Sequence, residues 1–203
     1  AGFAAAPIED ALSSSKSSFD PRHGGFGGAP KFPHPAELNL CLRRCAATGD
    51  GEALHIAAHT LERMALGGIY DQLGGGFSRY SVDAEWSIPH FEKMLYDNGP
   101  LLALLADAWT VTRAPLFARV AAQTAEWVMR EMQDRSGETP GGYYSSLDAD
   151  SEHEEGKFYV WTPEEVKNCL TPDEYAVVEP HYGLDGAPNF EGRHWHLRVS
   201  KPL

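Results

Sequence analysis

Two stretches of the chain concentrate side chains that can move protons. The segment from Ile69 to Asn98 carries Arg79, Tyr80, Trp86, His90, Glu92, Lys93, Tyr96 and Asp97, and a second run holds Asp148, Asp150, Glu152, Glu154 and Glu155 beside Tyr159 and Trp161. A histidine whose ordinary pKa lies near neutrality can take or give a proton. Carboxylates facing one another across a cleft can protonate a leaving oxygen on a sugar while the other acts as base or nucleophile. Tyr80, Trp86, Tyr96 and Trp161 offer flat apolar faces on which the C–H groups of a sugar can rest. The candidate catalytic residues are therefore His90, Glu92, Asp97, Asp148 and Asp150. Candidate substrate contacts are Lys31, Arg79, Tyr80, Trp86, Lys93, Tyr96, Glu155, Trp161 and Glu191. Each has a structural alternative: Glu92 complements a helix dipole, Lys93 pairs with Asp97 one turn on, His90 is a hydrogen-bonded loop histidine, and the acidic run is a solvated loop.

Other chemistries fit poorly. The acidic run fails the calcium-loop pattern, because His153 and Tyr159 stand where glycine and glutamate are needed. Gly74-Gly75-Gly76 is not followed by the Lys-Ser/Thr of a phosphate loop, and there is no Gly-x-Ser-x-Gly elbow. Cys41, Cys45 and Cys169 form no disulfide or zinc pattern, and His194 and His196, flanking Trp195, have no matched third ligand, so neither metal nor cofactor is expected. Seventeen basic against twenty-nine acidic residues give a net charge of −12, which disfavours nucleic acid. No window approaches the eighteen apolar residues of a membrane span and the start lacks a basic signal region, so the expectation is a soluble, cytoplasmic chain.

Apolar periodicity indicates the elements that must position these groups. Helices are expected over Ala4–Ser18, from Pro35 to Gly49 with Leu38, Cys41, Leu42 and Cys45 on one face, and onward through Leu54, Ala57, Ala58 and Leu61 to Gly67. A further helix of about twenty residues runs from Phe91 to Trp109, with His90, Glu92 and Lys93 at its first turn, and is apolar nearly all round, hence buried on several sides. The next, Pro115 to Gln133, has one apolar face and is an outer helix. Short links at 48–51 and 112–115 make antiparallel hairpins, whereas long links at 19–34, 67–89 and 135–162 join them. If helices alternate up and down, all the long loops emerge at one end. Each contains a Gly-Gly-aromatic echo: Gly24-Gly25-Phe26, Gly75-Gly76-Phe77 and Gly141-Gly142-Tyr143. Gly142–Ser146 and Lys157–Trp161 are expected to pair as a small β-hairpin, and Thr162 and Thr171 to cap two later helices. A buried inner helix followed by an amphipathic outer one fits a two-layer α/α toroid.

Several long strings add to this: Gly24-Gly25-Phe26-Gly27-Gly28-Ala29-Pro30-Lys31-Phe32-Pro33, the segment from Gly67 to Asp83, Trp86 through Pro89-His90-Phe91-Glu92-Lys93-Met94-Leu95-Tyr96-Asp97-Asn98, and Ser146 to Glu152 followed by Glu155 to Thr162. They resemble the thioredoxin-domain-containing proteins of the spermatogenesis-associated, bacterial YyaL-like type. That resemblance implies an (α/α)6 toroid similar to six-hairpin glycosidases and N-acylglucosamine 2-epimerases, preceded in the family by a thioredoxin-like domain. It implies that residues 1–203 form a single domain, the N-terminal half of the toroid, without the thioredoxin-like domain. The chain departs from the pattern near residues 189–196, where His194 and His196 stand. The function so implied is a carbohydrate-active enzyme that epimerises or hydrolyses a sugar; the alternative is a non-catalytic toroid that presents a protein or glycan to an attached thioredoxin-like domain.

Overall fold

The computed structural model describes residues 5–137 and 141–203; Ala4, in the expected first helix, and residues 138–140 of the third long loop lie outside them. Five helices form the main body: α1 (Ala6–Ser18), α2 (Pro35–Thr48), α3 (Gly51–Leu66), α4 (Leu95–Thr112) and α5 (Pro115–Trp127), the last prolonged by a π-helical turn, Val128–Met132. The hairpins α2–α3 and α4–α5 lie side by side, α2 against α4 and α3 against α5, giving two layers. Leu38, Ile56, Leu61, Met64, Leu101, Leu105 and Val120 are among the residues of their shared core. Local chemistry sets the boundaries. Asp50 caps α3 by accepting from the N–H groups of Glu52 and Ala53, and Gly49 closes α2 in the left-handed region at φ 73°. Thr162 and Thr171 start α6 (Pro163–Cys169) and α7 (Pro172–Tyr182) with reciprocal capping boxes, as their spacing predicts.

The long loops do emerge at one end, where two-residue strand pairs stitch them together in series. A bridge between Lys31 and Ser81 ties the first loop to the second. Within the second loop β1 (Tyr80–Ser81) pairs with β2 (Pro89–His90), and β3 (Lys93–Met94) reaches across to β4 (Ser146–Leu147) in the third. The third loop folds on itself through β5 (Asp150–Ser151) and β6 (Glu154–Glu155), then pairs β7 (Val160–Trp161) with β8 (Trp195–His196). The hairpin expected between 142–146 and 157–161 is therefore not the one formed. Their partners are distant in sequence, and the small hairpin present turns at 152–153 instead.

Two further expectations are corrected. Helix α4 starts at Leu95, so Glu92 lies in the linker between β2 and β3, and His90 and Lys93 are in those strands rather than in its first turn. And in this chain α4 is buried through Asn98, Leu101, Leu104, Leu105 and Ala108, packed against α2, α3 and α5, while Trp109 and Val111 are exposed. Among the described residues no helix is long and apolar enough to cross a membrane.

Beneath the stitched loops the same cradle is built twice. In the first, the Asp20 carboxylate accepts from the N–H groups of Arg22 and His23, the Gly24 N–H donates to the Asp20 carbonyl, and Asp20 N–H donates to the Gly25 carbonyl. In the second, Asp71 accepts from Leu73 and Gly74, Gly75 donates to Asp71, and Asp71 donates to Gly76. Lys31 closes the first cradle, bonded to Asp20 at 2.6 Å and to the Gly24 carbonyl at 2.9 Å; Lys93 closes the second, at 2.8 Å from Asp71 and 2.9 Å from the Gly75 carbonyl. An indole lies beside each ammonium, Trp86 at 5.6 Å and Trp127 at 5.2 Å. A Cβ on Gly25 would stand 2.5 Å from the Trp86 ring and one on Gly76 2.5 Å from that of Trp127, and both glycines have φ near +80°, so only glycine fits either position.

Candidate functional site

The cradles decide which expected ligand contacts face outward. Lys31 and Trp86 are both 0% exposed, and the Trp86 N–H donates to the His23 carbonyl. Lys93 is also enclosed, with the Tyr159 ring 4.9 Å from its ammonium. These three side chains hold loops and do not reach a ligand. Lys93 is paired with Asp71, not with Asp97, because β3 turns its side chain into the second cradle before α4 begins. Burial works against the Asp71 carboxylate, yet Lys93 and the two N–H donors outweigh it and hold the group below its ordinary value. Asp20, under the same opposition, is brought down to about 2.

What the second loop turns outward is a compact acid–base cluster. His90 Nδ1 lies 2.7 Å from Glu155 Oε1, and its Nε2 lies 3.7 Å from Glu92 Oε2. A carboxylate only accepts, so Nδ1 is the donor in the contact with Glu155. Arg79 holds Glu92 from the other side at 3.1 Å, and its own backbone N–H donates to the Glu92 carbonyl. The Tyr96 phenol, which is exposed, sits beside Arg79. Asp97 completes the group. Burial raises its pKa against the pull of Arg79, with Glu92 adding to the rise, and its Oδ2, closed off from solvent, has no hydrogen-bond partner among the described residues. The His90 and Glu92 side chains are 28% and 24% exposed, accessible but partly shielded.

A ladder of rings flanks the cluster. Tyr80 stacks on His90 with centroids 5.1 Å apart, Phe32 stacks on Tyr80 at 4.8 Å, and the outer face of Phe32 is open to solvent. The pairing of β1 with β2 places Tyr80 opposite His90, and the Lys31–Ser81 bridge brings Phe32 alongside. Phe32 was not among the expected contacts; its place next to Lys31 in a Gly- and Pro-rich loop was the available signal.

The remaining candidates are spread out. Asp148 accepts from the Asp150 N–H, a local turn bond, and both side chains are exposed with no contact to His90. Trp161 sits half-buried against the small second core of Val166, Leu184 and Leu197. Glu191 pairs with Arg193 at 3.2 Å. His194 and His196 do not act together: His196 is buried, its Nε2 2.6 Å from the Gly68 carbonyl, while His194 is half-buried beside another wall. Among the described residues no group of three or more His, Cys, Asp or Glu side chains could hold a metal ion.

With this geometry in place, comparison with known proteins defines the class. The fold matches cellobiose 2-epimerase from Spirochaeta thermophila with a TM-score of 0.62 at 24% identity, over 71% of this chain and 38% of that one. It also matches a sugar epimerase from a ruminal bacterium with a TM-score of 0.59 at 18% identity, over 70% of this chain and 40% of that one. The architecture is therefore all-α, of the (α/α)6 toroid type. No family model matches the sequence. In sequence the chain is similar to spermatogenesis-associated protein 20 of mouse, 41% identical over 190 residues, and of human, 40% identical over the same length. An uncharacterised protein of Caenorhabditis elegans is 40% identical over 172 residues. The matches cover 84% of this chain for the mammalian proteins and 76% for the worm protein. The chain spans about a quarter of the length of these relatives, 24% of the mammalian proteins and 22% of the worm protein.

Proposed function

We propose that the mouth of this toroid binds a carbohydrate and moves a proton on it, with His90 as base and acid, in an epimerisation or isomerisation that needs no cofactor. The observation that carries the reading is the His90 ring held between two carboxylates. Glu155 fixes the tautomer so that Nε2 is free to accept a proton, and Glu92 and Glu155 then stabilise the imidazolium on either side. Removal of the proton on the carbon beside the open-chain carbonyl by Nε2, with a proton given to the carbonyl oxygen, makes an enediol; return of a proton to the opposite face of that carbon gives the epimer, and to the neighbouring carbon the isomer, so the reaction balances without a further reactant. Asp97, whose carboxyl is made by burial to retain its proton more readily than usual, is the candidate partner acid. Arg79 keeps Glu92 in position. The Phe32–Tyr80 faces suit the apolar side of a sugar ring. Asp148 and Asp150 carry no role in this scheme.

The likeness to sugar epimerases in fold supports the substrate class by analogy, since a fold hosts many functions. The test is incubation with hexoses and cellobiose in deuterated water, following solvent deuterium at the sugar carbon and the appearance of an epimer by NMR. His90→Asn is expected to lower turnover by about 100-fold or more. Saturable sugar binding without deuterium uptake would replace the enzyme with the second reading, a binding toroid serving a thioredoxin-like domain of a longer polypeptide. One observation favours that reading: both nitrogens of His90 already face carboxylates, so Nε2 must leave Glu92 before it can reach a substrate. Absence of sugar binding would defeat the enzyme and leave only a toroid that binds a protein.

A further inference from the structure

Next to the acid–base cluster lies a groove of about 730 Å³ whose walls come from three separate segments, 82–91, 154–165 and 190–194. Its apolar surface is made by Val82, Ile88, Phe91, Val160 and Phe190, with Phe190 set edge-on against Phe91 at 5.6 Å. Its polar rim includes Glu154, Glu155, Lys157, Glu191 and Arg193. Glu155 belongs to both places, since it lines the groove and its carboxylate is bonded to His90; Pro89, the residue before His90, lines it as well. The groove thus adjoins the cluster and shares Glu155 with it.

We propose that this groove is a second sugar subsite, taking the next ring of a neutral or amino-sugar oligosaccharide whose first ring sits at His90. The proposal rests on the carbohydrate reading of the mouth and adds length and charge to it. Length follows from the volume, which exceeds what one ring fills and lies within the range of small-molecule sites of roughly 300–1,000 Å³. Charge follows from the rim. Lys157 is answered by Glu152 at 2.8 Å and Glu154 at 3.4 Å, and Arg193 by Glu191, so the two lining cations are already committed. Glu165 adds a further carboxylate, engaged as the α6 cap. Glu154, Glu155, Glu165 and Glu191 outnumber Lys157 and Arg193 on these walls, so their net charge is negative, which disfavours a uronate or phosphate and admits hydroxyls or an ammonium. His194 also lines the wall. Glu191, on the rim, takes a left-handed backbone angle at φ 48°. Such strain concentrates at functional sites.

The experiment is a titration of the protein with glucose, cellobiose and digalacturonate, read as amide shifts and as dissociation constants. Cellobiose is expected to bind about tenfold more tightly than glucose and to move the amides of 190–195 as well as those around His90, whereas glucose moves only the latter. Val82→Lys, at a half-exposed wall position, should bring the cellobiose constant to within about twofold of that for glucose. Equal affinities with shifts confined to the mouth would overturn the subsite while leaving the mouth reading intact. Digalacturonate binding as tightly as cellobiose would overturn the charge class. If no sugar moves the His90 amides, the mouth reading itself falls and takes the subsite with it.

Discussion

The two cradles differ in what is hung on them. Both use an aspartate that caps its own turn, two left-handed glycines under an indole, and a buried lysine that returns to the aspartate. In the first, Lys31 comes soon after Gly25 and the loop goes directly into α2, contributing one exposed ring, Phe32. In the second, residues 78–92 are inserted between Gly76 and Lys93, and that insertion supplies Arg79, Tyr80, His90 and Glu92. The lesson is a division between support and chemistry: the buried lysines and tryptophans, which look reactive in a sequence, hold the chassis, and the reactive groups are those the chassis leaves outside.

The comparison can be broken first at the lysines. Lys93→Met leaves Asp71 buried without its counter-ion and is expected to cost about 3–5 kcal/mol. Lys31→Met should cost a similar amount, within about twofold, because removing either partner of a buried pair strands the other. Urea unfolding of both variants checks this; a negligible loss at one of them would show that the cradles are not equivalent. Pairing Lys93→Met with Asp71→Leu should recover much of the loss, since the unmet charge goes too.

Acid sharpens the comparison further. The Asp20 carboxyl lies at about 2 in the folded protein against an unfolded value of about 3.9, so its contribution is complete above about pH 4 and is lost as pH falls through about 2. The size is about 2 kcal/mol, from a side chain that is 20% exposed. Asp71, also held below its ordinary value, acts with the same sign. Unfolding midpoints between pH 2 and 6 should therefore rise with pH in the native protein, and the Asp20 part of that rise should shrink in Lys31→Met, where only the N–H groups of Arg22 and His23 still hold the carboxylate. The smallest effect is expected at the ring ladder. Phe32→Ala removes one stacked pair, worth about 1 kcal/mol, and should appear in sugar affinity more than in stability because the ring is largely at the surface.

Much of the chassis was legible in the sequence. Apolar periodicity places the helices and alternating short and long links place the loops at one end; the Gly-Gly-aromatic echo recurs in all three long loops, and two of its copies, at Gly24 and Gly75, lie in cradles. The partners inside them were not legible. Lys93 has an aspartate four residues on, the spacing a helix would use, but it pairs with Asp71, 22 residues back, because a strand and not a helix carries it. His90 and Glu155 are 65 residues apart and meet only through the stitching of the second loop to the third. Two-residue strands leave almost no alternation to read, which is why the expected 142–146 and 157–161 hairpin gave way to pairings with β3 and β8. Trp86 reads as a sugar platform by type; its burial depends on a glycine at position 25 that lets the indole close over the first cradle.

The central claim is that His90 and Glu92 serve a ligand while Lys31 and Lys93 serve the fold, and one thermal-unfolding comparison addresses it. The protein and a His90→Asn, Glu92→Gln variant are heated with and without cellobiose. A ligand present at a hundred times its dissociation constant stabilises the native state by about 2.7 kcal/mol. The account predicts that the two proteins melt together without sugar and that only the native protein is shifted by it. A variant that melts well below the native protein without sugar, or one that keeps the full sugar-dependent shift, would contradict it: the first result would make the cluster a brace like the cradles, and the second would place the sugar elsewhere.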